Sequence, residues 1–285
     1  MRSLPLVAAT ALLTLGTAVP AAQAASLATD STATDSHSST LPTPTQRART
    51  AGITHAGDAS MGWSASPART VAAPTVVAAV TQTPGIDVSS HQGNVDWASW
   101  WNQGKKFAYA KATEGTYYTN PYFAQQYNGS YNIGMIRGAY HFATPDTTSG
   151  ATQANYFVDH GGGWSGDGRT LPGTLDIEYN PYGATCYGLS LSAMVNWIRD
   201  FSNQYRARTG RDAVIYTTTD WWTQCTGNNG SFGTTNPLWI ARYSSSPGTL
   251  PAGWGVQTIW QYTSSPLDED NFNGAYDRLQ ALANG

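Results

Sequence analysis

The sequence predicts an α/β fold for residues 83–285, in the form of a (β/α) barrel. Short strand-like runs recur along this part of the chain, and helical patterns separate several of them, which indicates a largely parallel sheet with crossover helices. A barrel closes such a sheet without an exposed edge, and roughly 200 residues suffice for one domain with a full core. The last third has fewer helical patterns, so we expect an irregular barrel with a reduced set of helices.

Residues 1–24 predict export. One basic residue near the start is followed by an apolar stretch and by Ala22-Gln23-Ala24, the small-x-small ending of a cleaved signal peptide. The apolar stretch is too short for a membrane-spanning helix, and no later run reaches the ~18 residues that one needs. We therefore expect a secreted, extracellular protein.

Residues 25–82 are rich in Ala, Ser, Thr and Pro and contain few large apolar residues. Such a segment cannot bury enough apolar surface to offset the entropy lost on ordering. Its composition predicts a disordered leader or pro-segment. A segment that assists folding and is later cleaved off is compatible with the same residues.

Seven short strand-like runs follow, bounded by turn-forming residues. They cover residues 85–90, 107–115, 135–142, 174–180, 213–219, 238–243 and 258–264. Helical patterns lie between several of them, at residues 94–103, 120–132, 149–162 and 190–210. In the longest of these helices Ser190 or Ser192 is a candidate N-cap, and Gly210 is a candidate terminating residue.

Charge and aromatic content indicate a neutral, hydroxyl-rich ligand. Charged residues make up 12% of the chain, against a usual level of about 25%, and the net charge is −3. No basic cluster predicts nucleic acid or an anionic membrane as a partner. Aromatic residues also make up 12%, including 11 Trp, and such rings stack on the C–H faces of sugars. Simple packing explains the same content, so this feature alone decides nothing.

The chain has two cysteines, Cys186 and Cys225. In an exported protein one disulfide is the simplest interpretation, and two free thiols are the alternative. A metal site is less favoured, because no Cys or His lies near either cysteine at ligand spacing. His91, His141 and His160 are also far apart in sequence, so we expect neither a metal nor another cofactor.

Asp176 and Glu178 lie two residues apart in the apolar run GTLDIEYN, residues 173–180. Alternate residues of a strand share a face, so both carboxyls point one way while Leu175 and Ile177 occupy the other face. An edge strand with a solvated acidic face is one interpretation. The alternative is a pair of functional carboxyls at the carboxyl end of a barrel strand.

Repetition favours the second interpretation. Asp87 lies in the first predicted strand, Glu114 follows the second, and Asp268 follows the last. Because the carboxyl ends of parallel strands meet at one mouth of a barrel, we expect these acids to converge with Asp176 and Glu178. Like charges in a pocket raise one another's pKa, and a carboxyl that stays protonated near neutral pH can serve as a general acid.

Eight motifs occur in order from about residue 84 to the C-terminus: GIDVSSHQGNVDW, AYAKATEG, RGAYHF, LDIEYN, YTTTDWW, LWIARY, WQYTSS and LDEDNFNG. Together they resemble the family 25 glycoside hydrolases, the Ch-type lysozymes. The resemblance implies an irregular TIM-like (β/α) barrel of eight strands with few helices. It also implies hydrolysis of the β-1,4 bond between N-acetylmuramic acid and N-acetylglucosamine in peptidoglycan. It does not extend to residues 1–82.

The resemblance assigns roles to residues of these motifs. Glu178, the Glu of the D-x-E motif, is expected to protonate the leaving oxygen, and three acids complete the catalytic set: Asp176, Asp87 and Asp268. Asp270 is an alternative to Asp268. The expected substrate-binding residues are polar or aromatic members of the same motifs: Tyr140, Glu114, Tyr179, Trp260, Gln261 and Tyr262. Tyr140 is expected at the floor of the cleaved-sugar subsite. Apart from the resemblance, Trp260 and Tyr262 alternate on a strand near the expected mouth of the barrel, so both are expected to face the sugar or to support residues that do.

The D-x-E spacing also bears on mechanism. A carboxylate nucleophile lies about 5–5.5 Å from the general acid and an inverting base about 6.5–9.5 Å away, on opposite sides of the sugar. Residues i and i+2 of one strand approach from one side. We therefore predict substrate assistance: the 2-acetamido group attacks its own anomeric carbon, Asp176 orients that amide, and Glu178 acts first as acid and then as base.

Two other classes of function fit part of the sequence. A glycan-binding barrel without activity shares the fold, but a binder has no need for one buried carboxyl beside another. A metal-dependent glycan deacetylase needs an Asp/His/His ligand set, for which the spacing is absent. The sequence thus predicts a monomeric lysozyme that acts on peptidoglycan glycan strands, with no nucleic-acid or membrane partner.

Overall fold

The computed structural model describes residues 41–64 and 81–285. The predicted signal peptide, residues 1–24, lies outside these residues. Among the helices that are described, none combines the length and the apolar character needed to cross a membrane.

Within residues 81–285, eight strands close into a barrel and a ninth, two-residue strand extends it. The strands are β1 Thr83–Val88, β2 Phe107–Glu114, β3 Tyr118–Thr119, β4 Ile136–Phe142, β5 Thr174–Asp176, β6 Val214–Thr217, β7 Leu238–Ala241, β8 Ile259–Thr263 and β9 Glu269–Phe272. Around the barrel the order is β1-β2-β4-β5-β6-β7-β8-β9, and β9 pairs with β1. Only β9 in this ring is antiparallel to its neighbours in the described structure. The predicted irregular (β/α) barrel is confirmed.

The described residues form seven α-helices. They are α1 Gln46–Thr50, α2 Trp97–Asn102, α3 Phe123–Asn132, α4 Gly150–Phe157, α5 Leu191–Thr209, α6 Thr219–Thr226 and α7 Tyr276–Asn284. Ser190 rather than Ser192 caps α5, since its hydroxyl accepts a hydrogen bond from the Ala193 N–H. Gly210 ends the helix with φ +75°, a conformation that glycine adopts without steric cost.

Alternation along the strands sorts the side chains into two layers. Residues such as Tyr109, Tyr216 and Trp239 fill the barrel interior. Leu175 and Ile177 face outward and pack with residues of α4 and α5. The run 173–180 therefore has two faces, as predicted. Leu175 and Ile177 point outward, and Asp176 and Glu178, which alternate with them, point to the inside of the barrel.

Strand β9, helices α6 and α7 and the two-residue strand β3 were not among the elements that the sequence patterns predicted. Strand β9 has the sequence EDNF, whose acidic residues do not predict a strand, and it forms because β1 and β8 pair with it on both sides. Helices α6 and α7 lie in the final third, where fewer helices were expected. Strand β5 is shorter than predicted and ends at Asp176, although the Ile177 N–H still bonds to the Tyr216 carbonyl at 3.0 Å.

Residues 41–64 differ from the predicted disorder. Thr45 caps the short helix α1, and the buried residues Ala48, Ile53 and Ala59 pack with Phe142 of β4. Met61 packs with the cluster inside the barrel. A segment of this composition cannot build a core for itself, but here the barrel supplies the apolar surface.

Candidate active site

The predicted acids converge at one mouth of the barrel. Asp87 lies on β1, Asp176 ends β5, Glu178 follows it, and Asp268 immediately precedes β9. Asp87, Asp176 and Glu178 are at most 1% exposed, and Asp268 is half-buried. The Asp87 N–H donates to the Asp268 carbonyl at 3.2 Å, so pairing of the first and last strands places these two residues side by side.

Burial sets the protonation of this cluster. It raises the pKa of Glu178 to about 8 and that of Asp268 to about 7, and the charge of Asp268 adds to the effect on Glu178. Burial, followed by the charge of Glu178, raises the pKa of Asp176 well above its usual range. At neutral pH the site therefore holds protonated carboxyls, as general acid catalysis requires.

Buried donors fix Asp87 and Asp270. Gln261 Nε2 donates to Asp87 Oδ2 at 2.8 Å, and the Tyr216 hydroxyl donates to Gln261 Oε1 at 2.7 Å. Trp239 Nε1 donates to Asp270 Oδ1 at 3.0 Å. Asp270 is fully buried on β9, which leaves Asp268 as the more accessible of the two acids that the sequence could not separate.

Asp176 differs from the other acids in its hydrogen bonding. Neither of its carboxyl oxygens has a hydrogen-bond partner among the described residues, although the side chain is fully buried. An unpartnered buried carboxyl is costly, so a group on a substrate that donates a hydrogen bond there would be bound favourably.

Glu114 lies in a buried ion pair rather than along an open surface. Its Oε2 is 2.6 Å from Lys111 Nζ, and its Oε1 accepts hydrogen bonds from the hydroxyls of Tyr117, at 2.8 Å, and Tyr182. Sequence reasoning missed Lys111. The available signal was a charged residue on the inner face of an otherwise apolar strand, which is rare unless the charge is paired.

The other expected substrate-binding residues separate into two groups. Tyr140 lies inside the barrel, where the charges of Asp87 and Asp176 reach it, and Gln261 also points inward. Trp260 and Tyr262 flank Gln261 on β8 and so face outward. Trp260 packs in the outer core, and the Tyr262 hydroxyl bonds to Glu269. The structure does not bring these two to the acid cluster.

Two cavities lie near the acids, and Ser64, which lines the first, donates to Glu178 at 3.3 Å. One of about 610 Å³ is lined by Tyr179, Thr218, Asp220 and other residues, and the Tyr179 hydroxyl donates to Asp220 at 2.6 Å. The second, of about 200 Å³, is lined by Asp268 and Tyr243 among others. Residues from 41–64 contribute to the walls of both cavities.

A disulfide between the two cysteines was predicted, and no metal site was expected. Cys186 and Cys225 form the expected disulfide, which joins the connection after β5 to α6. His141 is buried between β4 and α4, where its ring nitrogens contact Thr113 and Gln153. Within residues 41–64 and 81–285, no group of three or more His, Cys, Asp or Glu side chains is placed to hold a metal ion.

Comparison with known proteins gives one family. The model of Glycosyl hydrolases family 25 matches residues 86–270. Lysozyme M1 of Streptomyces globisporus is 51% identical over 208 residues, which are 70% of this chain and 71% of that protein. An N,O-diacetylmuramidase of a Chalaropsis species is 51% identical over 208 residues, covering 70% of this chain and 99% of that protein.

A solved structure gives the same result. The muramidase from Acremonium alcalophilum is 60% identical, with a TM-score of 0.70, and the match covers 71% of this chain and 99% of that one. The match thus spans nearly the whole length of that muramidase but only about seven-tenths of this chain.

Proposed function

The chain belongs to family 25 of the glycosyl hydrolases, and from this premise we propose that it is a secreted lysozyme that cleaves peptidoglycan. The bond cleaved is the β-1,4 linkage between N-acetylmuramic acid and N-acetylglucosamine. The observation that carries the proposal is the position of Glu178 at the acidic mouth of the barrel, where the charge of Asp268 favours its protonated form.

Glu178 serves as the proton donor. A carboxyl that retains its proton at neutral pH can transfer it to the glycosidic oxygen as the bond to the anomeric carbon breaks. The N-acetylglucosamine leaving group then departs as an alcohol, and Glu178 is left as a carboxylate.

Asp176 assists the other side of the reaction. The acetamido oxygen of the muramic sugar forms a bond to its own anomeric carbon as the glycosidic bond breaks, which gives a cyclic, positively charged oxazolinium. Asp176, with both oxygens free of described partners, accepts the amide N–H, and the developing positive charge favours its ionised form over the protonated form that burial favours in the empty site. Water then attacks the anomeric carbon, Glu178 takes its proton, and the ring reopens with retained configuration.

The remaining acids shape the site. Asp87 and Asp268 lie around the developing positive charge, which favours their ionised forms against the effect of burial, and Gln261 fixes the orientation of Asp87. Tyr140 forms part of the floor beneath the cleaved sugar. Tyr179 lines the larger cavity beside Glu178, where further sugar units of a glycan strand have room. The protein acts outside the cell as a monomer, after removal of residues 1–24.

Product analysis tests the proposal. The barrel, residues 81–285, is incubated with purified peptidoglycan, and the new reducing ends are reduced with borohydride and identified by mass spectrometry. We expect muramitol ends. Glucosaminitol ends would show cleavage of the other linkage in the strand. Binding to the wall without new reducing ends would indicate a glycan-binding barrel without activity.

A further inference from the structure

The acidic mouth of the barrel is occupied by the chain's own residues. The Gly62 N–H donates to Glu178 Oε1 at 2.6 Å, and the Ser64 hydroxyl donates to Glu178 Oε2 at 3.3 Å. Trp63 Nε1 donates to the carbonyl of Tyr179 at 2.9 Å. Both oxygens of the proton donor are therefore engaged by residues 62–64, which we include below in the docked segment, residues 45–64.

A second set of contacts anchors the docked segment at the buried ion pair. Lys111 Nζ donates to the Gly57 carbonyl at 2.9 Å and also to the Ala59 carbonyl. The Gly57 N–H donates to Glu114 Oε1 at 3.0 Å. Lys111 and Glu114 are fully buried, so these backbone groups complete the hydrogen bonding of two buried charges.

Apolar contacts continue the same interface. Met61 is 1% exposed and belongs to the cluster inside the barrel that also contains Tyr140 and Tyr216. The guanidinium of Arg47 lies 5.7 Å from the ring centre of Tyr179 and 5.8 Å from that of Trp63. The docked segment thus contacts the barrel through charged, polar and apolar groups together.

Two glycines make this close approach possible. Gly62 has φ +75°, and a Cβ there would lie 2.4 Å from the Tyr243 hydroxyl, 2.6 Å from Gln261 Oε1 and 2.9 Å from the Tyr216 hydroxyl. Gly57 has φ +98°, and its Cβ would lie 2.2 Å from the Tyr118 ring. No larger residue fits either position without moving the site.

We propose that residues 45–64 are an intrachain inhibitor of the lysozyme site, so that the full chain is inactive until this segment leaves the cleft. A sugar whose glycosidic oxygen accepts the proton of Glu178 needs the position that Gly62 occupies. Segment and substrate therefore compete for the same carboxyl, and tethering gives the segment a high effective concentration. This inference rests on the proposed function where inhibition is measured as loss of lysozyme activity. Docking of the segment does not depend on that function.

The barrel is complete without the docked segment. Strand β1 closes the ring by pairing with β9 on one side and with β2 on the other. None of the strands in this ring comes from residues 41–64. The muramidase from Acremonium alcalophilum is covered over 99% of its length by 71% of this chain. Residues 81–285 can accordingly be tested as a folded protein.

The experiment compares reducing-end release by four proteins: residues 25–285, the same chain with Gly62→Ala, the same chain with Gly52→Ala, and residues 81–285. Gly52 is the matched control, since it lies in the docked segment with φ +90° but a Cβ there meets nothing within 4 Å. Intact mass shows that each long chain keeps residues 45–64 during the assay.

We expect residues 25–285 to be roughly 100-fold or more slower than residues 81–285, and Gly62→Ala to recover at least about a tenth of the barrel's rate. Gly52→Ala should stay close to the parent chain. Equal rates for residues 25–285 and 81–285 would overturn the proposal, as would equal effects of the two glycine substitutions.

A binding measurement separates this proposal from the proposed function. A synthetic peptide of residues 45–64 is titrated into residues 81–285 by calorimetry, beside the same peptide with Gly62→Ala. Binding of the first and weaker binding of the second supports docking even if the barrel cleaves no peptidoglycan. Undetectable binding of the unmodified peptide, together with a fully active long chain, contradicts it.

Discussion

Asp176 and Glu178 lie two residues apart but have different partners. Glu178 accepts hydrogen bonds from Gly62 and Ser64, whereas the carboxyl oxygens of Asp176 have no partner within the described residues. The docked segment thus supplies hydrogen bonds to Glu178, the proposed proton donor, and leaves Asp176 free for the substrate amide that we propose it binds. The two residues therefore invite different tests.

Replacement of Asp176 by Asn tests substrate assistance. The neutral amide cannot offset the charge of the oxazolinium, so kcat of residues 81–285 on peptidoglycan should fall by about 10²–10³-fold with little change in KM. The product should keep its configuration, and a thiazoline analogue of the oxazolinium should inhibit the variant less tightly than the parent. An inverted product in the NMR spectrum of the parent reaction would exclude this mechanism.

The raised carboxyl pKa values predict how stability changes with pH. The pKa of Glu178 is about 8 and that of Asp268 about 7 in the folded chain, against about 4 when unfolded. Between these values the folded state holds more protons than the unfolded state, so the free energy of unfolding falls as pH rises. His141, whose pKa burial lowers to about 3, opposes this trend only below its unfolded value of about 6.5.

The melting temperature of residues 25–285 should therefore fall by several degrees between pH 6.5 and pH 8.5. Glu178→Gln removes one of the titrating carboxyls and should flatten the fall. Scanning calorimetry across this range provides the measurement. A melting temperature that rises with pH over the same interval would contradict the assigned directions.

At the scale of elements, α4 and α5 pack closely enough that one position excludes a side chain. A Cβ on Gly150, the first residue of α4, would lie 2.3 Å from the Trp197 carbonyl oxygen and 2.6 Å from the Phe201 nitrogen. Both are backbone atoms of α5 and cannot move without moving the helix. These helices pack on the outer face of the strands that carry His141 and Leu175. Their spacing therefore helps to fix the position of β4 and β5, whose inner face carries part of the site.

Gly150→Ala should destabilise residues 81–285 by about 1–3 kcal/mol, which corresponds to roughly 3–10 °C in melting temperature. Gly163→Ala is the matched control, because a Cβ there meets nothing within 4 Å and its φ of −63° suits alanine. Thermal unfolding of the two variants decides the point. Similar melting temperatures for both would show that the helices can separate at little cost.

The same scale shows where strand prediction from sequence works and where it fails. Strand β4 is mostly apolar or aromatic and is bounded by turns, and its predicted range agrees with the structure within one residue. Strand β9 carries Glu269 and Asp270, and its position depends on pairing with β1 and β8. Residues distant in the chain supply that pairing, so local pattern does not reveal it.

For the whole molecule, the convergence of the acids was predictable and the occupant of their cleft was not. Strand ends in a parallel barrel meet at one mouth, which was enough to group Asp87 with Asp176 and Glu178. Alternation along β8 also placed Trp260 and Tyr262 away from Gln261, although both were expected to face or support the sugar-binding surface. The role of Lys111 depends on backbone groups of Gly57 and Ala59, far away in the sequence.

The docked segment shows why composition alone misjudged residues 41–64. A segment poor in large apolar residues cannot form a core, but it can add a few buried groups to one that exists. Met61 packs inside the barrel, and Gly57 and Gly62 allow the backbone to approach it closely. One methionine and two glycines hardly change the apolar content of the segment, so composition does not reveal the docking.

The most direct test of the account replaces Glu178 in the barrel and counts reducing ends. Residues 81–285 are compared with the variants Glu178→Gln and Glu269→Gln on purified peptidoglycan, with melting temperatures to show that all three fold. Glu269 is the matched control, because it pairs with Lys105 at 2.6 Å on the outside of β9. We predict a loss of about 10³-fold or more for Glu178→Gln and a rate within a few-fold of the parent for Glu269→Gln. A folded Glu178→Gln variant that keeps a tenth or more of the parent rate would contradict the assignment of Glu178 as the proton donor.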